Sequence, residues 1–163
     1  MYVKDIMTKD VKTCWRHDSL NDAAKLFWDH DCGCSPVVDE EQKVVGMLTD
    51  RDLCMAAYFK GKPLGEIPVD ATMSRQVCTC KADDTLVAAE KLMRSRKVRR
   101  LPVTDAAGRI VGIISLNDIA LEAARERTQQ GRRELSDAEV SETLAAVSEH
   151  RQAPPPHLVV SAA

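Results

Sequence analysis

Sliding the chain against itself by 66 residues leaves 16 of the 52 positions from Val3 to Cys54 identical, without a gap. Unrelated sequence would match at roughly one position in twenty, so the chain contains a tandem duplication and its fold must be built twice. The matches are spread along the unit. Val3 falls on Val69, Met7 on Met73, Thr13-Cys14 on Thr79-Cys80, Asp18 on Asp84 and Lys25-Leu26 on Lys91-Leu92. Pro36-Val37 falls on Pro102-Val103, Val45-Gly46 on Val111-Gly112 and Asp52 on Asp118.

Each copy reads in the same order. A short strand (Val11–Trp15; Val77–Lys81) is followed by Ser19 or Thr85, a hydroxyl residue suited to accept an orphan amide of the next helix. Apolar residues then recur at helical spacing: Leu20, Ala23, Ala24 and Phe27 in one copy, Leu86, Ala89, Leu92 and Met93 in the other. Two β-rich runs follow across a polar turn, Pro36–Val38 with Val44–Leu48 and Pro102–Thr104 with Ile110–Ile114. A second helix closes each unit, from about Asp50 to Phe59 and from Asn117 to about Arg127. The fold class expected is therefore α/β (α+β), two strand-helix-strand-strand-helix units packed sheet to sheet about a pseudo-two-fold axis. A unit of ~50 residues buries too little surface to stand alone, and the tandem is expected to share a core. The boundaries expected are 1–62 for the first unit, 63–127 for the second, 128–151 for a C-terminal helical extension and 152–163 for a flexible, proline-rich tail. In the extension, Ser136 and Glu139 have capping-box spacing, and Val140, Leu144 and Val147 form the apolar stripe.

The segments Val45-Gly46-Met47-Leu48-Thr49-Asp50-Arg51-Asp52 and Val111-Gly112-Ile113-Ile114-Ser115-Leu116-Asn117-Asp118 resemble the closing signature of the CBS domain: Gly, two apolar residues, Thr or Ser, two residues, Asp. Ser35-Pro36-Val37-Val38-Asp39, Leu101-Pro102-Val103-Thr104-Asp105, Ile6-Met7-Thr8 and Thr72-Met73-Ser74 fit the same family. The whole is similar to a tandem CBS pair, or Bateman module, over about residues 1–127. The residues themselves say why such a signature binds nucleotides. A strand delivers Thr49 or Ser115 to a helix start, where unpaired amides favour anions, and Asp52 or Asp118 can accept both hydroxyls of a ribose. Simple helix capping is the competing reading of the same residues.

The resemblance implies more. Adenine would lie between the start of the first strand (Lys12; Cys78) and the residues three or four before the proline (Cys32, Gly33; Val98, Arg99). Met47 and Ile113 would pack on the base, while Lys12 and Cys78 would act through backbone groups. Arg99 and Arg100 would reach the phosphates of a ligand seated in the neighbouring half, with Arg51 as a further donor and Asn117 at the matching position of the second copy. Forked guanidinium groups suit phosphate oxygens. The expected ligand is AMP, ADP, ATP or S-adenosylmethionine, bound as a regulator, with no cofactor required and a downstream protein as the recipient of the signal.

Other classes receive less support. A net charge of −2 gives no basic field for nucleic acid, and no window approaches the ~18–20 apolar residues of a membrane span. No nucleophile–base arrangement, P-loop or dinucleotide fingerprint is present, so no enzyme is expected. The start Met1-Tyr2-Val3-Lys4-Asp5 lacks the pattern of a signal peptide, and six cysteines in such a chain suggest thiols in the cytoplasm. His30 with Cys32-Gly33-Cys34 leaves a thiol- or metal-sensing module as an alternative, and a purely structural dimerisation unit as another. A homodimer is expected, joined through the helix that carries Leu53, Met55, Tyr58 and Phe59.

Overall fold

The computed structural model describes residues 1–128 and 135–149. The expected tail, 152–163, lies outside them. The first unit runs β1 (Cys14–Trp15), α2 (Leu20–Asp29), β2 (Cys34–Val38), β3 (Val44–Thr49) and α3 (Asp50–Lys60), after a short α1 (Val3–Ile6). The second runs β4 (Cys80–Lys81), α4 (Leu86–Arg96), β5 (Arg100–Thr104), β6 (Ile110–Ser115) and α5 (Leu116–Thr128), followed by α6 (Asp137–Ser148). Each unit forms a three-stranded sheet in which the first strand runs parallel to the second and the second antiparallel to the third. The register is the same in both, Cys34 opposite Thr49 and Arg100 opposite Ser115, with an irregularity after Val37 and after Val103. Only the first strands are shorter than expected. Pairing is confined to Cys14-Trp15 and Cys80-Lys81.

Ser19 accepts the amide of Asp22 and Thr85 that of Ala88, each 3.2 Å, so both long helices begin where their hydroxyl residues predict. The second helix of each unit begins immediately after its strand.

One expectation is corrected: the two units do not share one core. The first apolar cluster contains Leu20, Phe27, Val37, Leu48 and Leu53 together with Ile67, Val69 and Met73; the second contains Leu86, Met93, Leu101, Ile114 and Ile119 together with Val3. The leading segments are thus exchanged. Val3 N donates to Asp84 O (2.9 Å) as Val69 N donates to Asp18 O (2.8 Å). Thr8 pairs with Ile113, and Ser74 with Met47, through reciprocal backbone bonds of 2.8–2.9 Å. Two cores arise because each hairpin can be closed only by the segment that belongs, by repeat register, to the other copy. The units also meet directly where Val44 N donates to Gly108 O (3.2 Å) and Ile110 N to Gln42 O (3.0 Å), two equivalent bonds across the pseudo-two-fold axis.

The C-terminal extension docks on the second unit, with α6 packed on α4 and α5. Ser136 accepts the amide of Glu139 (3.2 Å), the forward half of the expected capping box. Leu135 and Val147 are buried and Val140 packs against the second core. Leu144 is exposed instead, and Thr143 takes the inward position, which corrects the expected stripe by one residue. On α3, Leu53 is buried in the first core, so only Met55, Tyr58 and Phe59 remain as exposed apolar residues; the rings of Tyr58 and Phe59 meet edge to face at 5.1 Å.

The exchanged segments leave no room at the glycines of the two signatures. A Cβ on Gly46 would sit 2.4 Å from Met73 Sδ and 3.3 Å from Met73 Cβ, and one on Gly112 would sit 2.5 Å from Met7 Sδ. Gly46→Ala and Gly112→Ala are each expected to cost ~1–3 kcal/mol by overpacking. In a urea-denaturation cycle, Gly46→Ala combined with Met73→Ala should be less destabilised than the sum of the two single changes.

Candidate functional site

The two signature motifs build the same object. Thr49 Oγ1 donates to Asp52 Oδ2 (2.7 Å), which also accepts the Thr49 amide (2.8 Å), while Asp52 N donates back to the hydroxyl (3.2 Å). Ser115 and Asp118 repeat this at 2.6, 2.7 and 3.2 Å. These are complete capping boxes. Both bonds fall on Oδ2, and Oδ1 of each carboxylate has no hydrogen-bond partner among the described residues. One carboxylate can therefore hold its helix start and still offer an acceptor outward. Arg51 and Asn117, one residue before these carboxylates, are exposed.

Next to the first box, a cavity of about 410 Å³ is lined by Phe27, Trp28, Asp31, Cys32, Gly33 and Asp50, which is within the range of small-ligand sites. Two of the expected adenine-wall residues, Cys32 and Gly33, thus face open space. The Asp50 amide donates to Gly33 O (3.2 Å), and a Cβ at Gly33 would meet Asp50 Oδ2 at 3.1 Å. Asp50 was quoted in the signature motif but given no role there; its position directly after the capping Thr49 was the available signal. In the second unit Leu116 N donates to Arg99 O (2.9 Å), the equivalent bond, so Arg99 occupies the place of Gly33. Val98 and Cys78 are half-buried against the second core. Met47 and Ile113 are half-buried on β3 and β6, their backbones held by the exchanged Ser74 and Thr8. The Lys12 carbonyl accepts the Ser35 hydroxyl (2.8 Å), and its ammonium pairs with Asp10 (2.8 Å).

Arg100 starts β5 of the second unit, and its positive charge opposes the upward push that burial gives the thiols of Cys32 and Cys34 in the first. Cys34 and Arg100 are equivalent positions of the repeat, a thiol in one unit and a guanidinium in the other. Cys14 and Cys80 are buried, and desolvation raises each thiol to about 11. All six cysteines are free, and only Cys54 is exposed. Among the described residues no group of three His, Cys, Asp or Glu side chains converges to hold a metal ion.

The CBS domain model matches residues 3–58 and 64–125. The chain belongs to the CBS domain family. Over 119 residues it is 37% identical to the CBS domain-containing protein YhcV of Bacillus subtilis, covering 73% of this chain and 83% of that protein. The CBS domain pair of protein MJ0100, solved with 5-methylthioadenosine and S-adenosyl-L-methionine, superposes with a TM-score of 0.70 at 29% identity, covering 77% of this chain and 98% of that one. CBSX2 in complex with AMP gives 0.67 at 26% identity, covering 78% and 98%. The two boxes thus sit at equivalent points of a CBS pair.

Loss of a capping hydroxyl should destabilise each half whether or not ligand is present. Thr49→Ala and Ser115→Ala are expected to lower unfolding free energy by ~0.5–2 kcal/mol each, read by denaturant titration of the unliganded protein. Iodoacetamide at neutral pH should label Cys54 well before Cys14 and Cys80, whose raised pKa and burial leave almost no thiolate; peptide mapping gives the order.

Proposed function

We propose that the chain is a regulatory module that binds an adenosine-type ligand between its CBS units and passes the occupancy to a protein partner. The observation that carries this reading is the pair of equivalent capping boxes, Thr49–Asp52 and Ser115–Asp118, each with one carboxylate oxygen left without a hydrogen-bond partner among the described residues; the charge of Arg100 felt at Cys32 and Cys34 adds to it. The ligand complexes of MJ0100 and CBSX2 support the ligand class. In this scheme the free Oδ1 of Asp52 accepts the ribose hydroxyls and Thr49 lies beside the phosphate. Cys32, Gly33, Met47 and the Lys12 backbone bound the base, and Arg100 neutralises the phosphate, with Arg51 as an outer donor. Asp31 and Asp50 line the first cavity and would repel a phosphate there, so the base occupies that end. Ser115 and Asp118, with Cys78, Val98, Ile113 and Asn117, form the second ribose position, where Arg99 replaces the open space above Gly33. No catalytic step is assigned to the chain.

Assembly and location follow the same reading. Tyr58 and Phe59 stand 77% and 60% exposed on α3, an apolar face suited to a second copy of the chain. Six free thiols suit a reducing compartment, the cytoplasm.

Arg100→Ala should weaken AMP at least about tenfold while leaving adenosine unchanged, since a charge-assisted hydrogen bond contributes roughly 1.5–3 kcal/mol. Asp52→Ala should weaken both ligands alike. Calorimetric titrations of the two variants decide the matter. Equal losses of AMP and adenosine in Arg100→Ala would overturn the phosphate assignment, and no binding of any adenosine ligand to the wild type would leave the boxes as helix caps alone.

A further inference from the structure

The contact between α4 and α6 encloses a carboxylate whose oxygens receive no hydrogen bond of ordinary geometry among the described residues. Glu90 is fully buried, and neither of its oxygens has a hydrogen-bond partner. The hydroxyl beside it, Thr143 of α6, donates instead to the carbonyl of Glu139 (2.8 Å). The charged groups acting on Glu90 are Glu139 from α6 and Arg94 from its own helix, and Arg94 is already committed to Glu142 of α6 (2.9 Å). An ionised, unpaired carboxylate in such a place is costly, and the group escapes that cost by binding a proton or by returning to water.

The duplication supplies an internal comparison. The first-unit residue equivalent to Glu90 is Ala24, and those equivalent to Arg94 and Lys97 are Trp28 and Asp31. Trp28 is 87% exposed, and among the described residues no helix covers it. The buried acid is therefore found in the copy whose helix is covered, where a small residue would close the contact at no electrostatic cost. Among the described residues α6 is also held by Val140, Val147 and Leu135 against the second core, by the Leu135 amide on Glu126 (2.9 Å), and by two ion pairs, Arg94–Glu142 and Lys97–Glu149 (2.6 Å), of a kind that contributes little when exposed.

We propose that Glu90 is a proton-operated latch for α6. Carrying its proton, Glu90 stays beneath the docked helix; when the proton passes to water, the carboxylate is hydrated only if α6 leaves α4, and the helical face of the second unit opens. Burial pushes the Glu90 carboxyl above the usual range and the negative charge of Glu139 pushes it further, while Arg94 and then the neighbouring Thr143 hydroxyl oppose both. The sign follows from that direction. The docked state binds the proton more tightly than the open state, so docking is strongest at low pH and is lost as pH rises through the docked-state pKa. Between the open-state and docked-state values the opening equilibrium should grow up to tenfold per pH unit.

Hydrogen exchange on the full chain between pH 5 and 8, corrected for intrinsic exchange rates, tests this. In the wild type, protection of the α6 amides should fall as pH rises, by up to tenfold per pH unit, while α2, in the other unit, changes little. Glu90→Gln should keep α6 at a pH-independent protection. As a check that does not depend on the variant folding, the side-chain carboxyl 13C resonance of wild-type Glu90 should titrate above the ordinary glutamate range and in step with α6 opening. Flat α6 protection in the wild type, a pH-dependent loss that persists in Glu90→Gln, or titration of Glu90 at the ordinary value would each overturn the latch.

Discussion

The exchange of leading segments between the two halves is the constraint on which the rest of the molecule depends. Each β-hairpin has one edge of backbone groups that must find partners, and in both units the partner is the segment that begins the other copy. Met47 bonds Ser74, and Ile113 bonds Thr8. The same segments send Met73 and Met7 against Gly46 and Gly112, so closely that a Cβ there would require the methionine to shift. Neither unit can close its sheet without the other. This holds the two helix starts in a fixed relation, although each unit keeps its own apolar core.

The proposed binding site lies between the halves, and the copies have diverged around the two helix starts. Thr49–Asp52 and Ser115–Asp118 remain superposable to the level of individual hydrogen bonds. The wall beside them does not. Gly33 leaves open space bounded by Asp50 in one half, while Arg99 stands at the same place in the other. Arg100 stands where the first unit has the thiol of Cys34. Two-fold scaffolding thus carries a one-sided charge distribution, which favours two unlike positions over two equal ones. The helix α6 extends the asymmetry to the outer surface, covering α4 and α5 of the second unit.

Much of this was legible in the residues. The 66-residue register gave both units, and the hydroxyl residues Ser19, Thr49, Thr85, Ser115 and Ser136 all stand at or immediately before helix starts. The segment exchange was not legible, for a physical reason: Val3 and Val69 are identical, as are Met7 and Met73, so pattern alone cannot tell which unit each one packs on. The inward face of α6 was misread by one residue because Thr143 and Leu144 compete for it, and burial of a hydroxyl that bonds its own helix carries no periodic signal. Glu90 was invisible for a related reason. A glutamate within Ala88-Ala89-Glu90-Lys91 reads as a solvated residue until a second helix is seen to cover it.

The central claim is that a phosphorylated adenosine ligand binds across the halves through its charge as well as its ribose. The most direct measurement is calorimetric titration of the wild-type protein with AMP and with adenosine over increasing salt concentration. The account predicts that AMP affinity falls steadily as salt screens Arg100, while adenosine affinity stays nearly constant. Identical salt dependence for the two ligands would contradict it.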